Sequence, residues 1–253
     1  MQYLTKCNKF ALKHIGIHLT LNHTGGNRLT ILAGMVIITN DYTKKDEILM
    51  TNEERKQELQ KRRLEQKDFP IIRVETQKLI ENIVQKRKPQ MVLELGSGKG
   101  YSGSVMLTAD DSVNLLTIEK DKDNYTDAMR MYAELDFFER VLPINADAEE
   151  VVEKLVGSKT GQKFDLILLD CNKSSYNRMF ENVVELLSPG GVLIADDCLY
   201  HGKVLGEGEI PKKKHRTIVV NMREFINKVQ NSEKLENVTI YDFEDGVLVA
   251  TKK

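Results

Sequence analysis

Three short stretches of this chain carry side chains that could do chemistry together. The first is Met91-Val-Leu-Glu-Leu-Gly-Ser-Gly-Lys-Gly-Tyr-Ser102. Its apolar run ends at the carboxylate of Glu94, and glycines follow at Gly96, Gly98 and Gly100. A strand that breaks into a glycine turn and then opens a helix lets backbone N–H groups reach a nucleotide ligand. It also points the positive end of a helix at that ligand. The second stretch is Asp165-Leu-Ile-Leu-Leu-Asp170-Cys-Asn-Lys173, an apolar run closed by a carboxylate with an amine three residues on. The third is Ala195-Asp196-Asp197. If all three runs are parallel strands of one open sheet, their C-terminal ends line one crevice and Asp170, Asp196 and Asp197 converge there. Packed carboxylates repel one another unless a cation neutralises them, and an all-oxygen set suits Mg²⁺ or another divalent cation such as Ca²⁺. Asp170 and Asp197 could instead be helix N-caps. Taken with Lys173 and the glycine turn, the cation reading is preferred.

The glycine turn alone does not choose its cofactor. Gly98-Lys-Gly-Tyr-Ser-Gly103 spells the dinucleotide pattern G-x-G-x-x-G, and Glu119 stands about 20 residues on, where a ribose-binding acid is expected. An NAD-dependent dehydrogenase is therefore one reading. Against it, the glycines counted from the strand end are Gly96, Gly98 and Gly100, so the dinucleotide register starts late. Glu94 also brings a carboxylate to the loop, where a pyrophosphate would be repelled. S-adenosyl-L-methionine has no phosphate and carries an ammonium and a sulfonium, which suits an acidic pocket. Glu119 would hold its ribose hydroxyls.

The elements that must position these groups alternate. Strands are expected at Met91–Leu95, Asn114–Glu119, Val141–Ala146, Phe164–Asp170 and Gly191–Asp196, with helices near 102–109, 123–135, 148–156 and 176–187. Leu166-Ile-Leu-Leu169 is apolar throughout, as a strand buried on both faces requires. Such alternation predicts an α/β fold with a doubly wound, mostly parallel sheet. Ile218, Val219, Met222, Phe225, Ile226 and Val229 mark a further helix after a loop at 199–215. Two closing strands, Val238–Phe243 and Val247–Thr251, meet at the turn Glu244-Asp-Gly246. Before the sheet, Thr51-Asn-Glu-Glu54 reads as a capping box that starts a charged, exposed helix running to Asp68. A second helix carries Thr76, Leu79, Ile80, Ile83 and Val84 on one face and stops at Pro89.

With 253 residues there is room for one large α/β domain with an appendage. The net charge of −1 gives no whole-chain sign of nucleic-acid binding. Cys7, Cys171 and Cys198 are too scattered for a zinc site and odd in number for a disulfide framework, which points to a reducing, cytoplasmic compartment. Residues 1–40 contain no Asp or Glu and hold His14, His18 and His23. The apolar stretch Leu29–Ile38 is well short of the ~20 residues of a membrane span. This segment reads as an extension of the frame, poorly ordered, with the functional start near Met35. Residues 41–253 then form a single domain, with a helical appendage at 51–88 and a core at 91–253.

From about Glu53 to Lys253 the chain resembles the cation-dependent, S-adenosylmethionine-dependent O-methyltransferases, the group of catechol and caffeoyl-CoA O-methyltransferases. The resemblance rests on Val92–Ser102, on Phe164–Asp170 with Lys173 and Tyr176, and on Ser188-Pro-Gly-Gly-Val-Leu-Ile-Ala-Asp196. It implies a Rossmann-like class I methyltransferase fold, seven-stranded with an antiparallel last strand. It also implies that Glu94, Gly96, Gly98, Gly100, Tyr101 and Ser102 border the donor, that Glu119 takes the ribose and that Asp147 lies by the adenine. Asp170, Asp196 and Asp197 would bind the metal, Asp170 also facing the donor, with Lys173 as the base. Asp197 departs from the family's Asn, which should tighten the metal and weaken it slightly as a Lewis acid. Homodimers are common in the group, and the N-terminal helices could form the contact.

The implied chemistry is methyl transfer to a hydroxyl whose pKa a divalent cation lowers. Lys173, near cations, should have a depressed pKa and accept the proton. The acceptor should present two adjacent oxygens. Within the group, the chain is most similar to bacterial tRNA 5-hydroxyuridine methyltransferases, through Tyr200-His-Gly-Lys-Val204, His215-Arg-Thr217 and Asp245-Gly246. That likeness implies the anticodon loop of tRNA as partner, with Tyr176, His201, Lys212, Lys213, Lys214 and Arg216 on the substrate side. Arg55, Lys56, Lys61, Arg62 and Arg63 could track phosphates too. A small catechol-like substrate is the alternative.

Overall fold

A computed structural model describes residues 27–32, 35–40, 50–65, 71–158, 160–206 and 213–253, with only the backbone described for 27–40 and 213–215. Nine strands and seven α-helices are found among these residues. Ahead of the main sheet, β1 (Asn27–Leu32) and β2 (Met35–Asn40) pair as an antiparallel hairpin. The sequence reading did not anticipate this hairpin, and the other residues of 1–49 lie outside the described residues. Two helices follow, α1 (Asn52–Glu65) and α2 (Val74–Arg87). The capping box forms as expected: the Thr51 N–H donates to Glu54 at 2.7 Å and the Glu54 N–H to the Thr51 hydroxyl at 3.2 Å.

The core alternates as the sequence predicts: β3 (Met91–Leu95), α3 (Tyr101–Ala109), β4 (Asn114–Glu119), α4 (Lys122–Glu134), β5 (Val141–Asn145), α5 (Ala148–Val156), β6 (Phe164–Leu169), α6 (Tyr176–Leu186) and β7 (Leu187–Ala195). Helix α7 (Lys213–Gln230), β8 (Leu235–Tyr241) and β9 (Val247–Lys252) complete it. The seven strands are ordered β5-β4-β3-β6-β7-β9-β8. Only β9 runs opposite to the other six strands, wedged between β7 and β8. Three expectations move. Strand β8 runs Leu235–Tyr241 where Val238–Phe243 was expected. Strand β7 begins at Leu187, because Ser188–Gly191 stays in the sheet across a register shift opposite Phe164 and Leu166. Helix α7 begins at Lys213, so the basic run starts a helix instead of ending a loop.

Both faces of the sheet are covered. Residues of alternate parity part cleanly: Leu93, Leu95, Ile167 and Leu169 pack with α5, α6 and α7, whereas Val92, Leu166 and Leu168 pack with α1 to α4. Glu94 is of the second parity. It therefore enters the apolar layer under α3, which decides its role below. No helix among the described residues is long and apolar enough to cross a membrane.

Candidate functional site

The register puts the ends of four strands in one row. Leu95 pairs with Ile118 and Leu169, and Leu169 with Ala195. The ladder then runs on for one more rung. Gly96 N–H donates to Ile118 O, Asp170 N–H to Leu95 O and Asp196 N–H to Leu169 O, at 2.9–3.0 Å. Sequence order leaves β3 in one direction for β4 and β5 and in the other for β6 and β7, so the strand order reverses beside β3. Ligands of open α/β sheets bind at that reversal. A cleft of about 530 Å³ opens there, walled by Ile71–Arg73, Gly96–Lys99, Tyr101, Ser102, Ile118–Lys120, Ala146–Glu149 and the Asp170 and Asp196 ends.

In the first half of the cleft the backbone does the shaping. Gly96 has φ +100°, and a Cβ there would stand 2.3 Å from the Asp170 carbonyl oxygen. Only glycine lets β3 and β6 close up at the reversal. Glu119 accepts from the Gly98 N–H at 2.8 Å and the Asp121 N–H at 2.7 Å and still faces the cleft. Partial burial raises its pKa, and these backbone donors oppose the rise. Its free lone pairs suit two vicinal hydroxyls. Asp147 caps α5 through the Glu149 N–H, is paired with Lys120 at 2.8 Å and also lines the cleft.

Glu94 is placed differently from the expectation. It is fully buried beneath the turn, outside the cleft lining, and accepts from the Ser102 and Thr117 hydroxyls at 2.5 Å each. Burial pushes its pKa up to about 7, against the pull of those two donors. It braces the first turn of α3 from below.

In the second half, Asp170, Asp196 and Asp197 each offer a carboxylate oxygen, and these oxygens lie within 4.8 Å of one another. Neither Asp170 nor Asp197 caps a helix; Asn172 caps the short 3-10 turn Lys173–Ser175 that follows. Burial and the neighbouring charges of Asp170 and Asp197 push Asp196 up to about 7. Asp197 holds a left-handed backbone at φ +52°, a conformation that Asp and Asn adopt more readily than most residues. These oxygens are close enough for a single cation with ~2.4 Å bonds to reach them all, so the residues fit a divalent ion.

Lys173 supplies the one ammonium that touches this trio among the described residues, at 3.0 Å from Asp170 and 3.6 Å from Asp197. With the acids uncompensated, its pKa moves opposite to the depression expected beside a bound cation. Burial disfavours its charge, but Tyr176, Asp170, Asp197 and Asp196 outweigh that and raise its pKa well above the usual lysine value. The carboxylates hold the proton on. Tyr176 is likewise not at a substrate surface. It is fully buried, donates to Leu169 O at 2.7 Å, and its oxygen lies 3.1 Å from the Lys173 amine. It seats Lys173.

The remaining substrate-side expectations scatter. His201 is exposed, takes no part in the cleft lining, and gives its backbone N–H to Asp245. Arg216 is exposed on the first turns of α7. Lys212 and the side chains of Lys213 and Lys214 lie outside the described residues. The arginines of α1 are internal struts. Arg55 is buried over Phe137 and donates to Leu135 O, and Arg62 joins Glu58 and Glu134. Arg63 binds Tyr101, Ile72 and Gln77. Two contacts near the acids were missed. Glu244 accepts from the Glu75 and Thr76 N–H groups at the start of α2. The Thr76 hydroxyl stands 2.9 Å from Glu244 and 3.5 Å from Asp196. The turn Glu244-Asp-Gly246 was visible in the sequence; that its acid caps a distant helix was not.

The model of one protein family, described as O-methyltransferase, matches residues 43–253. The chain belongs to the O-methyltransferase family. Among curated members, it is 23% identical over 184 residues to a caffeoyl-CoA O-methyltransferase of Populus kitakamiensis, covering 71% of this chain and 77% of that one. It is 26% identical over 177 residues to a catechol O-methyltransferase of Niastella koreensis, covering 70% and 79%. Among solved structures, the O-methyltransferase from Bacillus cereus in complex with SAH superposes with a TM-score of 0.65 at 21% identity, over 82% of this chain and 93% of that one. That likeness is one of fold.

Proposed function

We propose that this O-methyltransferase moves the methyl group of S-adenosyl-L-methionine to a hydroxyl oxygen that has a second oxygen beside it. A divalent cation, Mg²⁺ in the first instance, would be held by Asp170, Asp196 and Asp197. The observation that carries the reading is that the acidic trio, with the Lys173 amine 3.0 Å from Asp170, sits at one end of the cleft whose other end is the glycine turn, Glu119 and Asp147. SAH, bound by the Bacillus cereus relative, is the form of that donor left after methyl transfer. When bound, the cation would lower the pKa of the acceptor hydroxyl and orient both oxygens.

The chain's own residues do the rest. Glu119 and the Gly96–Lys99 backbone, with Gly100 turned toward Ala128 and Tyr132 outside the cleft, would fix the donor so that the methyl meets the acceptor in line. Lys173 keeps its proton while the surrounding carboxylates are uncompensated. Once their charge is offset it becomes the nearest amine able to take a proton from the hydroxyl. Tyr176, held by Leu169 O, keeps the amine aimed at the acids.

For the acceptor we propose 5-hydroxyuridine at the wobble position of tRNA, giving 5-methoxyuridine and making the anticodon loop the partner. Its 5-hydroxyl and 4-carbonyl supply the two oxygens, and a base in an open loop needs little energy to leave its stack. The C-terminal similarity from Tyr200 to Gly246 supports this choice. A catechol-like acceptor is the second reading, favoured by the caffeoyl-CoA and catechol enzymes among the relatives. Methyl transfer is to be measured with tRNA bearing 5-hydroxyuridine and with a catechol, each with Mg²⁺ and with chelator. Faster turnover of tRNA, lost on chelation, is expected. Preference for the catechol overturns the substrate; full activity in chelator overturns the cation.

A further inference from the structure

Arg63 belongs to neither half of the cleft, yet its guanidinium reaches two separate parts of the wall and the start of α2 behind them. One N–H donates to the Ile72 carbonyl at 2.8 Å, and another to the Gln77 side chain at 2.5 Å. Its Nε–H donates to the Tyr101 hydroxyl at 3.2 Å, and the guanidinium lies over the Tyr101 ring, 5.0 Å from its centre. Ile72 and Tyr101 both line the cleft. The Tyr101 hydroxyl has Gln77 and the Leu59 carbonyl as acceptors for its own proton, at 3.1 and 3.3 Å. The ring is thus held at its tip and on one face by a planar fork of donors, a geometry lysine does not reproduce.

These contacts are not needed to attach α1. Leu59 is buried, Arg55 is buried against Phe137 and Leu135, and Arg62 bridges to Glu134. What Arg63 adds is order in the wall: the start of α3 beside Ser102, the start of α2 and the backbone at Ile72. We infer that Arg63 is a positioning residue for the methyl donor. It fixes Tyr101 and Ile72 before the donor arrives, setting the affinity of the cleft while taking no part in the transfer. The inference rests on the cleft being the donor site. A wall ordered in advance spares the ligand the cost of ordering it.

The experiment is calorimetric titration of SAH into wild-type protein and into the Arg63→Ala, Arg63→Lys, Tyr101→Phe, Arg63→Ala/Tyr101→Phe and Leu59→Ala variants, with a thermal melt of each. Arg63→Ala is expected to weaken SAH about tenfold, with Arg63→Lys close behind it. The double variant should be no weaker than Arg63→Ala alone, because one ordering event is lost only once. With saturating donor, kcat for Arg63→Ala should stay near wild type while KM for the donor rises. Unchanged SAH affinity in Arg63→Ala overturns the inference. So does an equal loss in Leu59→Ala, which loosens α1 without touching the cleft. Wild-type protein that ignores SAH overturns the donor reading itself, a result the wild-type titration separates from the other two.

Discussion

The two halves of the cleft solve the same problem in opposite ways. Each brings carboxylates into a place where water is scarce. Under the glycine turn, Glu94 meets two hydroxyl donors, Ser102 and Thr117, and is sealed from the cleft. At the other end, three carboxylates share one ammonium, and two of them, Asp170 and Asp197, keep part of their surface open. The first arrangement is internally balanced and acts as a brace. The second has an excess of negative charge facing a ligand cavity, which is how a cation site differs from a structural polar cluster.

The largest expected break in this contrast comes from the acidic end. Asp170→Ala or Asp196→Ala should cut methyl transfer about a thousandfold, worth several kcal/mol of transition-state stabilisation, and abolish Mg²⁺ binding by calorimetry. Either variant retaining both would put the two ends on an equal footing. Lys173→Met should separate two properties. Activity should fall by about 10²-fold or more through loss of the proposed base, while Mg²⁺ should bind about tenfold more tightly because the competing ammonium has gone. Weaker Mg²⁺ binding in that variant would mean that Lys173 supports the cation and does not compete with it.

Gly96→Ala tests the seam between the halves. A methyl 2.3 Å from the Asp170 carbonyl, on a residue at φ +100°, should cost at least about 3 kcal/mol in a denaturation experiment. A further test is in pH. Glu94 and Asp196 both have folded pKa values of about 7, above their ordinary 4.5 and 3.8. A folded acid that keeps its proton longer than the unfolded one makes stability fall as pH rises, here from about 4 to about 7, and the loss persists above that. Melting temperatures compared with Glu94→Gln and Asp196→Asn should isolate each share. Mg²⁺ should erase the Asp196 share by favouring its anion and leave that of Glu94 untouched. A Glu94 share that also responds to Mg²⁺ would contradict its isolation from the cleft.

These contrasts mark how far the sequence could be read. Strands β3, β4 and β6 were legible because apolar runs ending in Glu94-Leu95, Glu119 and Leu169-Asp170 have few other uses. The convergence of Asp170, Asp196 and Asp197 followed from parallel strands alone. The failures concern what lies opposite a charge. Arg55, Arg62 and Arg63 sit at spacings that also suit a solvated helix face, and their acceptors include Leu135, Glu134 and Tyr101, remote in the chain. The sign at Lys173 depended on counting carboxylates around an ammonium, which needs distances. Glu94 was visible as an acid beside the turn. Its strand parity shows that it enters the layer under α3, while the donor Thr117 could be named only once β4 was in register with β3.

The position of β9 carries a consequence of another kind. Strand β7, which ends in the two acids, is held on one side by β6 and on the other by β9. During synthesis β6 is ready before β7 is made, but Val247–Lys252 emerges only after α7 and β8. Until then β7 is the bare rim of a growing sheet, open to pairing with another chain. The acidic end of the cleft is therefore framed on both sides only when the last strand is in place, and a chain lacking Val247–Lys252 would leave β7 as an open rim.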